Sequence, residues 1–359
     1  MHTRTGKTDG LLLAAVLFLT IFGLIVLYST SAYNGQVRFH GDSAYYFKKQ
    51  LFAMLLGLTG MYVISSIDYH VLRRLAVPAY LLSLLLSGAV LLVGDAYNGS
   101  RRWLSIGPLS FQPAEYAKPA VILLLAGIVS SSEKAGGGRM AAAVLMAVLP
   151  IVGLVGTNNL STAVIILGIA VIMIFVSNPR YLPFFWIVLC GSGFLGIFLS
   201  LESYRLERLA IWRNPEQYEK GYQTMQGLYA IGSGGLFGRG LGNSMQKLGF
   251  VPEAQNDMIF SIVCEEFGLV GASVLILVFI LLLWRLCVLS SRCRELQGAL
   301  ICAGIMAHLA IQVILNISVV TNTIPNTGIT LPFVSYGGTS VLFLLGEMGL
   351  ALNVGSRRL

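Results

Sequence analysis

Long apolar stretches, separated by short polar segments, fill most of the chain from residue 11 onward. An apolar run of roughly 20 residues can cross a hydrocarbon core about 30 Å thick as an α-helix. We therefore predict an all-α polytopic membrane protein, a single domain over residues 1–359. Its ten transmembrane helices are predicted at residues 11–30, 50–67, 75–94, 114–129, 140–156, 160–177, 181–201, 257–285, 299–320 and 338–355.

Two of these segments need a length argument. The apolar stretch 140–177 has 38 residues, which is about 57 Å of α-helix and too long for one crossing. We therefore place a tight turn at Thr157–Asn159 and count two spans. The segment 257–285 has 29 residues, about 43 Å of helix, so we expect it to tilt or to protrude from the bilayer.

Lysine and arginine in the short loops predict the orientation. With the N-terminus inside, the inner segments hold twelve of these residues and the short outer loops hold five. We therefore expect cytoplasmic N and C termini. The 55-residue polar loop 202–256, between spans seven and eight, is then one large extracytoplasmic loop.

Composition supports a membrane protein and excludes several other classes. Of 359 residues, 56% are hydrophobic and 11% are charged, whereas soluble domains carry about 25% charge. The net charge of +8 is scattered over short loops, which favours membrane orientation over nucleic-acid binding. The glycines of 232–242 complete no nucleotide-binding motif. The five cysteines form no C-x-x-C pair, and no His, Cys and Asp cluster has metal-ligand spacing.

A polar cluster precedes and enters the predicted fourth span. It contains Arg102 and Trp103, followed by Gln112, Glu115 and Lys118. Glu115 and Lys118 are three residues apart and share one helix face, which favours an ion pair. The segment is typical of an interfacial anchor. It also fits a cationic opening for an anionic lipid headgroup, because arginine presents paired donors to phosphate.

Asp257 lies where the long polar loop runs into the predicted eighth span. An acid at this point is typical of a helix N-cap, and Asn256 or Asp257 fits that role. We also expect Asp257 to lie at the outer interface, where a carboxylate can react without being buried in hydrocarbon. Capping would lower the pKa of Asp257 and weaken it as a base, and both interpretations stay open here.

Other polar groups lie in the long loop, in a later loop and inside spans. The mixed charges of 202–220 are typical of a solvated amphipathic helix. The hydroxyl-rich segment 326–340 predicts a re-entrant loop able to bind sugars. His308 is interpreted as a hydrogen-bonded core residue. The acids within spans are Glu265, Glu266 and Glu347.

Four motifs together resemble the SEDS family of bacterial cell-wall proteins (shape, elongation, division and sporulation), over essentially the whole chain. They are Arg102-Trp103 with Gln112-Pro-Ala-Glu115, Gly240-Leu-Gly-Asn-Ser-Met-Gln-Lys247, Pro252-Glu253 through Asp257, and Leu331-Pro-Phe-Val-Ser-Tyr-Gly-Gly338. The second motif is more similar to the FtsW and SpoVE branch than to RodA.

The resemblance implies a peptidoglycan glycosyltransferase of the bacterial cytoplasmic membrane. It would polymerise lipid II into β-1,4-linked glycan and release undecaprenyl pyrophosphate, working with a class B penicillin-binding protein. No tightly bound cofactor is implied, although a divalent cation, Mg²⁺ or Mn²⁺, could assist at Asp257. Asp257 matches the family's essential loop aspartate and is the expected catalytic residue. Substrate contacts are expected from Lys49, Arg102, Trp103, Gln112, Glu115, Lys118, Gln226, Glu253 and Ser335.

The chain departs from the family pattern in several places. Asn159 stands where the family commonly has an acid, so any ion-handling role of that acid is in doubt. Gln255 and Asn256 replace the usual His and Thr, and Lys49 stands where arginine is usual. Two other functions stay open: a lipid II flippase using the acids within spans, and a non-catalytic scaffold that activates a partner synthase.

Overall fold

The structure, a computed structural model, describes residues 8–97, 100–106, 109–132, 137–177 and 203–357, with a few isolated positions between 185 and 196. The predicted span 181–201 lies almost wholly outside the described residues. The described helices are α1 (Gly10–Arg38), α2 (Tyr45–Ser66), α3 (Tyr69–Val93), α4 (Pro113–Ser131), α5 (Gly137–Asn158), α6 (Leu160–Ser177), α7 (Ser203–Arg213), α8 (Tyr222–Ser233), α9 (Ile259–Arg292), α10 (Leu296–Val320) and α11 (Gly338–Ser356).

The helical membrane architecture is confirmed. Eight of the described helices, α1, α3 to α6 and α9 to α11, are long and apolar enough to cross a membrane. Helix α2, with 22 residues, takes the place of the second predicted span. The predicted turn is also found, because α5 ends at Asn158 and α6 begins at Leu160. Which side of the membrane the loops and termini face stays a prediction.

Helices α2 and α11 pack closely along their length. A Cβ atom on Gly349 would lie only 2.7 Å from the main-chain oxygen of Met61, and one on Gly57 would lie 2.7 Å from Cδ1 of Leu345. Small residues at a helix interface let the two backbones approach, which strengthens van der Waals packing where lipid supplies no hydrophobic drive.

One end of the bundle is closed by ion pairs between turns. Arg357, after α11, lies 2.9 Å from Asp68, and His70 at the start of α3 lies 2.7 Å from Glu295 before α10. The opposite end carries the irregular and polar elements, namely a small sheet, α7, α8 and the loop between α10 and α11. The functional residues gather at this second end.

The small sheet between α3 and α4 was not predicted. It has three antiparallel strands in the order β1-β2-β3, which are Asp95–Tyr97, Ser100–Ile106 and Leu109–Phe111. Trp103 of β2 pairs with Asp95, and Leu104 pairs with Phe111. Strand β2 also contacts α3, α4 and α5. The sheet therefore gives Arg102 and Trp103 a fixed position on the bundle.

Helix α9 is interrupted at Gly268, whose backbone (φ 67°, ψ −168°) is not helical. The expectation of one uninterrupted helix was wrong at this residue, whereas its tilt or protrusion from the bilayer stays a prediction. The glycine-rich loop after α8 fills the gap. The main-chain amide of Arg239 donates to the carbonyl of Glu265 at 2.9 Å, and that of Gly240 donates to the carbonyl of Glu266 at 2.9 Å. After the break, the amide of Leu269 donates to the carbonyl of Gly235 at 2.9 Å. The broken helix thus keeps its backbone groups satisfied.

The two acids just before this break bind the loop and are not isolated in the membrane. Glu265 accepts hydrogen bonds from the hydroxyl of Ser244 at 2.5 Å and from the amide of Met245 at 3.0 Å. Glu266 pairs with Lys247 at 2.7 Å, and both side chains are buried. The Gly240–Lys247 motif is therefore clamped onto α9 through these carboxylates.

Candidate active site

A cavity of about 1530 Å³ opens at the polar end of the bundle. The sheet, the starts of α2 and α4, helices α7 and α8, the segment before α9 and the loop after α10 all contribute to its walls. Its charged lining consists of Lys48, Lys49, Arg102, Lys118, Arg208, Lys220, Glu115, Glu219, Glu253 and Asp257. Among the described residues of the lining, six cations outnumber four acids, which suits an anionic ligand.

One flank of the cavity is apolar and faces outward. Phe52 and Leu56, on one face of α2, line the cavity, yet each side chain is more than half exposed on the surface of the protein. The cavity therefore runs from a charged interior to an exposed apolar edge on α2. This shape suits a ligand that joins a charged headgroup to a lipid tail.

Asp257 lies in the cavity wall and is buried, with 8% of its surface exposed. The capping interpretation was wrong, because α9 begins at Ile259 and Met258 occupies its N-cap position without a side-chain cap. Its expected position at the outer membrane interface stays a prediction. The main-chain oxygen of Asp257 accepts a hydrogen bond from Nδ2 of Asn316 at 2.8 Å, and this bond anchors the segment to α10.

Burial raises the pKa of Asp257 from 3.8 to about 6. The nearby carboxylate of Glu253 acts in the same direction, whereas the hydrogen bond from Gln223 and the charge of Arg208 lower this pKa. A carboxylate with a pKa near 6 is ionised at neutral pH and still accepts a proton readily. Asp257 therefore has the protonation behaviour of a general base.

The floor of the cavity is a buried ion pair on α4, as the spacing predicted. The Lys118 ammonium lies 3.0 Å from both oxygens of Glu115 and 3.2 Å from Oε1 of Gln312 on α10. Lys118 is 1% exposed. Since these three oxygen atoms, two of Glu115 and one of Gln312, all accept hydrogen bonds, the ammonium group is held at one fixed point of the wall.

The other predicted cationic and polar residues lie around the same cavity. Arg102, Trp103 and Gln112 line it from the sheet and the start of α4. Nε of Arg102 donates to the carbonyl of Asn158 at 2.7 Å, and Lys49 lies 4.6 Å from the ring centre of Tyr45.

Glu253 also lines the cavity. Its carboxylate pairs with Arg38, at the end of α1, across 3.2 Å. The same carboxylate accepts a hydrogen bond from the side-chain amide of Asn256 at 2.6 Å. Seven of the nine predicted substrate residues therefore share one cavity with Asp257.

Two predicted substrate residues do not line this cavity. Gln226 lies on α8, but that helix presents Tyr222, Gln223 and Thr224 to the cavity. Ser335 is 4% exposed, and its hydroxyl accepts a hydrogen bond from the amide of Leu331 at 2.8 Å. Gln226 thus lies outside the cavity lining, and Ser335 shapes the loop after α10; contact of either residue with substrate stays a prediction.

Several cavity residues were not predicted. Nε2 of Gln223 donates to Oδ1 of Asp257 at 3.3 Å, and Oε1 of Gln223 accepts from Asn326 at 3.3 Å. Gln312 reaches the cavity floor from the middle of α10, while Asn159 lines the wall and caps α6 through the amide of Thr162. An isolated amide in an apolar stretch, such as Gln312, was the one signal available for such residues.

A divalent cation was expected as an optional addition at Asp257. Among the described residues, no three His, Cys, Asp or Glu side chains converge to hold a metal ion. The nearest acid, Glu253, is already engaged by Arg38 and Asn256. Assistance by a divalent cation at Asp257 stays a prediction.

Comparison with known proteins identifies the family. The family model described as "Cell cycle protein", of FtsW, RodA and SpoVE, matches residues 9–358. Stage V sporulation protein E of Bacillus subtilis is 38% identical, over 99% of this chain and 98% of that protein. A protein of Trichlorobacter lovleyi named "Probable peptidoglycan glycosyltransferase FtsW" is 35% identical, over 98% of this chain and 94% of that protein.

Solved structures show the same fold. A chain from a structure described as "Structural coordination of polymerization and crosslinking by a peptidoglycan synthase complex" superposes with a TM-score of 0.79 at 29% identity. The crystal structure of the rod shape determining protein RodA of Thermus thermophilus superposes with a TM-score of 0.73 at 30% identity. Each match covers 98% of both chains. The resemblance found in the sequence motifs is confirmed, and the chain belongs to the FtsW, RodA and SpoVE family of cell cycle proteins.

Proposed function

We propose that this chain is a peptidoglycan glycosyltransferase that polymerises lipid II at the outer face of the bacterial cytoplasmic membrane. The observation that carries the proposal is the shared cavity: a buried carboxylate with a raised pKa, Asp257, faces the same space as the cations Lys49, Arg102 and Lys118. The apolar flank at Phe52 gives a lipid-linked substrate a place for its tail. The relatives named peptidoglycan glycosyltransferase support this function.

The reaction needs one base and one stabilised leaving group. The 4-hydroxyl of the acceptor GlcNAc attacks C1 of the donor MurNAc, and its proton passes to the Asp257 carboxylate. The C1–oxygen bond to the pyrophosphate breaks, with inversion at C1. The products are a β-1,4 link and undecaprenyl pyrophosphate. One carboxylate base suffices for a single displacement.

The departing pyrophosphate carries negative charge, and fixed cations stabilise charge that develops in a transition state. Lys118 is already oriented by Glu115 and Gln312, and Arg102 is held by the sheet. Lys49 adds a third cation at the start of α2. No step of this mechanism uses a metal ion.

The orientation follows from the reaction and the charges. We place the cavity end of the bundle outside the cytoplasm and the end with Arg285, Arg292, Arg294 and Arg357 inside, with both termini cytoplasmic. Energy-rich nucleotides are absent outside, so the substrate must carry its own leaving group, and lipid II does.

We propose a class B penicillin-binding protein as the membrane partner. The similar chain from a peptidoglycan synthase complex, described as coordinating polymerization and crosslinking, supports this pairing. Such a partner would crosslink the strands that this chain makes.

The test is polymerisation of purified lipid II by the full chain together with its partner. Asp257→Asn is expected to give no glycan polymer while folding normally. Glu216→Gln is the matched control, because Glu216 is an exposed acid between α7 and α8 that does not line the cavity. Polymer from folded Asp257→Asn at the wild-type yield would refute the proposal.

The purified wild-type protein and Asp257→Asn also distinguish the two alternative functions, a lipid II flippase and a non-catalytic scaffold. A flippase would move lipid II headgroups across proteoliposome membranes without Asp257, and a scaffold would leave polymerisation to its partner. Glu265, Glu266 and Glu347 are each engaged by neighbouring side chains, and substitution of these acids is the arm of the test that addresses the flippase.

A further inference from the structure

A buried histidine and glutamate lie behind the cavity floor and take no part in the mechanism above. His308 on α10 and Glu347 on α11 are each 1% exposed. Nδ1 of His308 lies 2.8 Å from Oε2 and 3.0 Å from Oε1 of Glu347. On its other side, Nε2 of His308 lies 2.8 Å from Oε1 of Gln312. The pair is therefore connected to Lys118 through a single amide.

The chemistry of the neighbours fixes which way the Gln312 amide faces. Its nitrogen donates to the carbonyl of Thr330 at 3.0 Å, and a carbonyl can only accept. Its oxygen faces the Lys118 ammonium at 3.2 Å, which can only donate. The same oxygen must also accept from His308, so Nε2 of His308 carries a hydrogen.

The position of this hydrogen decides the protonation of the pair. With a hydrogen on Nε2, the contact between Nδ1 and Glu347 still needs one proton. Either Nδ1 carries it and donates to an ionised Glu347, or Glu347 carries it and donates to Nδ1. Without that proton, a lone pair of His308 would face a buried carboxylate, and two hydrogen-bond acceptors would lie in contact with no donor between them. In both forms one proton lies between the two side chains, and the pair is neutral overall.

We propose that His308 and Glu347 form a positioning pair, which holds the Gln312 amide so that the Lys118 ammonium stays fixed in the cavity. This inference rests on the proposed function, in which Lys118 binds the substrate pyrophosphate. Lysine has a flexible four-carbon stem, so its charge needs fixed acceptors. Without the His308 donor, only Thr330 and Lys118 orient the Gln312 amide, and the oxygen that accepts from the ammonium is held less firmly.

The first measurement is binding, which does not depend on turnover. The probe is undecaprenyl pyrophosphate, and the protein is the full chain in detergent. His308→Leu is expected to weaken binding about tenfold, the size of one hydrogen bond to a charged group. His308→Gln, which can place an amide donor near the former Nε2 position, is expected to bind nearly as well as wild type. His308→Phe keeps the ring volume without the donor and replaces His308→Leu if that variant does not fold.

The second measurement tests the route through Gln312. If His308 acts through this amide, His308→Leu adds nothing to the loss caused by Gln312→Met, and the double variant equals Gln312→Met. A merely structural role gives additive losses. In the proposed mechanism, the polymerisation rate falls at low pH because Asp257 becomes protonated. The pH at which this fall occurs is expected to be the same in all these variants.

Two results would overturn the inference: wild-type binding by folded His308→Leu or His308→Phe, or additive losses in the double variant. Failure of rescue by His308→Gln, with that variant folded, would also count against it. The proposed function fails separately, when Asp257→Asn still polymerises lipid II. If Asp257→Asn is inactive while the His308 variants bind normally, only the positioning pair is wrong.

Discussion

The side-chain amide of Gln223 donates a hydrogen bond to Oδ1 of Asp257 across 3.3 Å. Asn326 orients that amide, because the amide oxygen of Gln223 accepts a hydrogen bond from Nδ2 of Asn326 at 3.3 Å. A donor to a carboxylate favours the ionised form, so this contact opposes the effect of burial on the pKa of Asp257. Gln223 therefore keeps the proposed base ionised at neutral pH.

The first prediction concerns the pH dependence of the reaction. Because the base must be ionised, kcat/KM for lipid II should fall as the pH drops through about 6, the pKa of Asp257. Gln223→Met removes a hydrogen bond that lowers this pKa, so the acid limb should move to higher pH. The measurement is the polymerisation rate against pH at low substrate concentration.

Gln226→Met is the matched control for that profile, because Gln226 lies on the same helix but does not line the cavity. Its acid limb should coincide with that of wild type. An acid limb near pH 4 in the wild-type enzyme, or an unmoved limb in Gln223→Met, would contradict the assignment.

The second prediction is that the active-site acid lowers stability. The folded-state pKa of Asp257 lies above its ordinary value of 3.8, so the folded state binds the proton more tightly than the unfolded state. Burial of the ionised form therefore costs stability above pH 6, and the cost fades as the pH falls toward 4. Asp257→Asn should raise the free energy of unfolding at pH 7.5 by up to about 3 kcal/mol.

Thermal unfolding in detergent at several pH values measures this gain. The gain should shrink as the pH is lowered through 6. A variant that is less stable than wild type at pH 7.5 would show that the carboxylate is held by stabilising contacts instead.

The third prediction concerns the break in α9. Gly268 adopts a backbone conformation that is essentially restricted to glycine, and a Cβ there would lie 2.3 Å from the amide nitrogen of Gly238. Gly268→Ala should therefore lower stability by at least about 2 kcal/mol. Gly127→Ala, in the regular helix α4 with open space around it, should be neutral or slightly stabilising. Equal melting temperatures for the two variants would contradict the strained break.

The fourth prediction concerns the clamp between the long loop and α9. Lys247→Met leaves Glu266 buried without its cation, and should cost about 3–5 kcal/mol of stability. Lys48→Met removes an exposed ion pair with Asp42 and should change stability little. The comparison is made by thermal unfolding of both variants. A tolerated Lys247→Met would mean that Ser29 of α1, which also donates to Glu266 at 2.7 Å, satisfies this carboxylate without the loop.

The fold was predictable from the sequence wherever length and hydropathy alone decide it. The turn between α5 and α6 followed from a stretch too long for one crossing. The break at Gly268 did not, because apolar residues continue on both sides and the loop that fills the gap comes from a distant part of the chain. The sheet was also missed, since its strands are short and two of them have three residues each.

The site was predictable where polar residues interrupt an apolar pattern. Glu115, Lys118 and Asp257 stood out for this reason, and the cavity brings them together. The choice between Gln223 and Gln226 depended on which face of α8 meets the cavity, and a short helix with polar residues on several faces does not show this. His308 was predicted as a hydrogen-bonded core residue, and this is confirmed by its contacts.

The most direct test of the central claim is the release of undecaprenyl pyrophosphate from lipid II by purified Asp257→Asn. The variant should bind lipid II and should release no undecaprenyl pyrophosphate above background, because the acceptor hydroxyl then has no base. Glu216→Gln, assayed alongside, should release it at the wild-type rate. Release by folded Asp257→Asn at a rate near that of wild type would contradict the account.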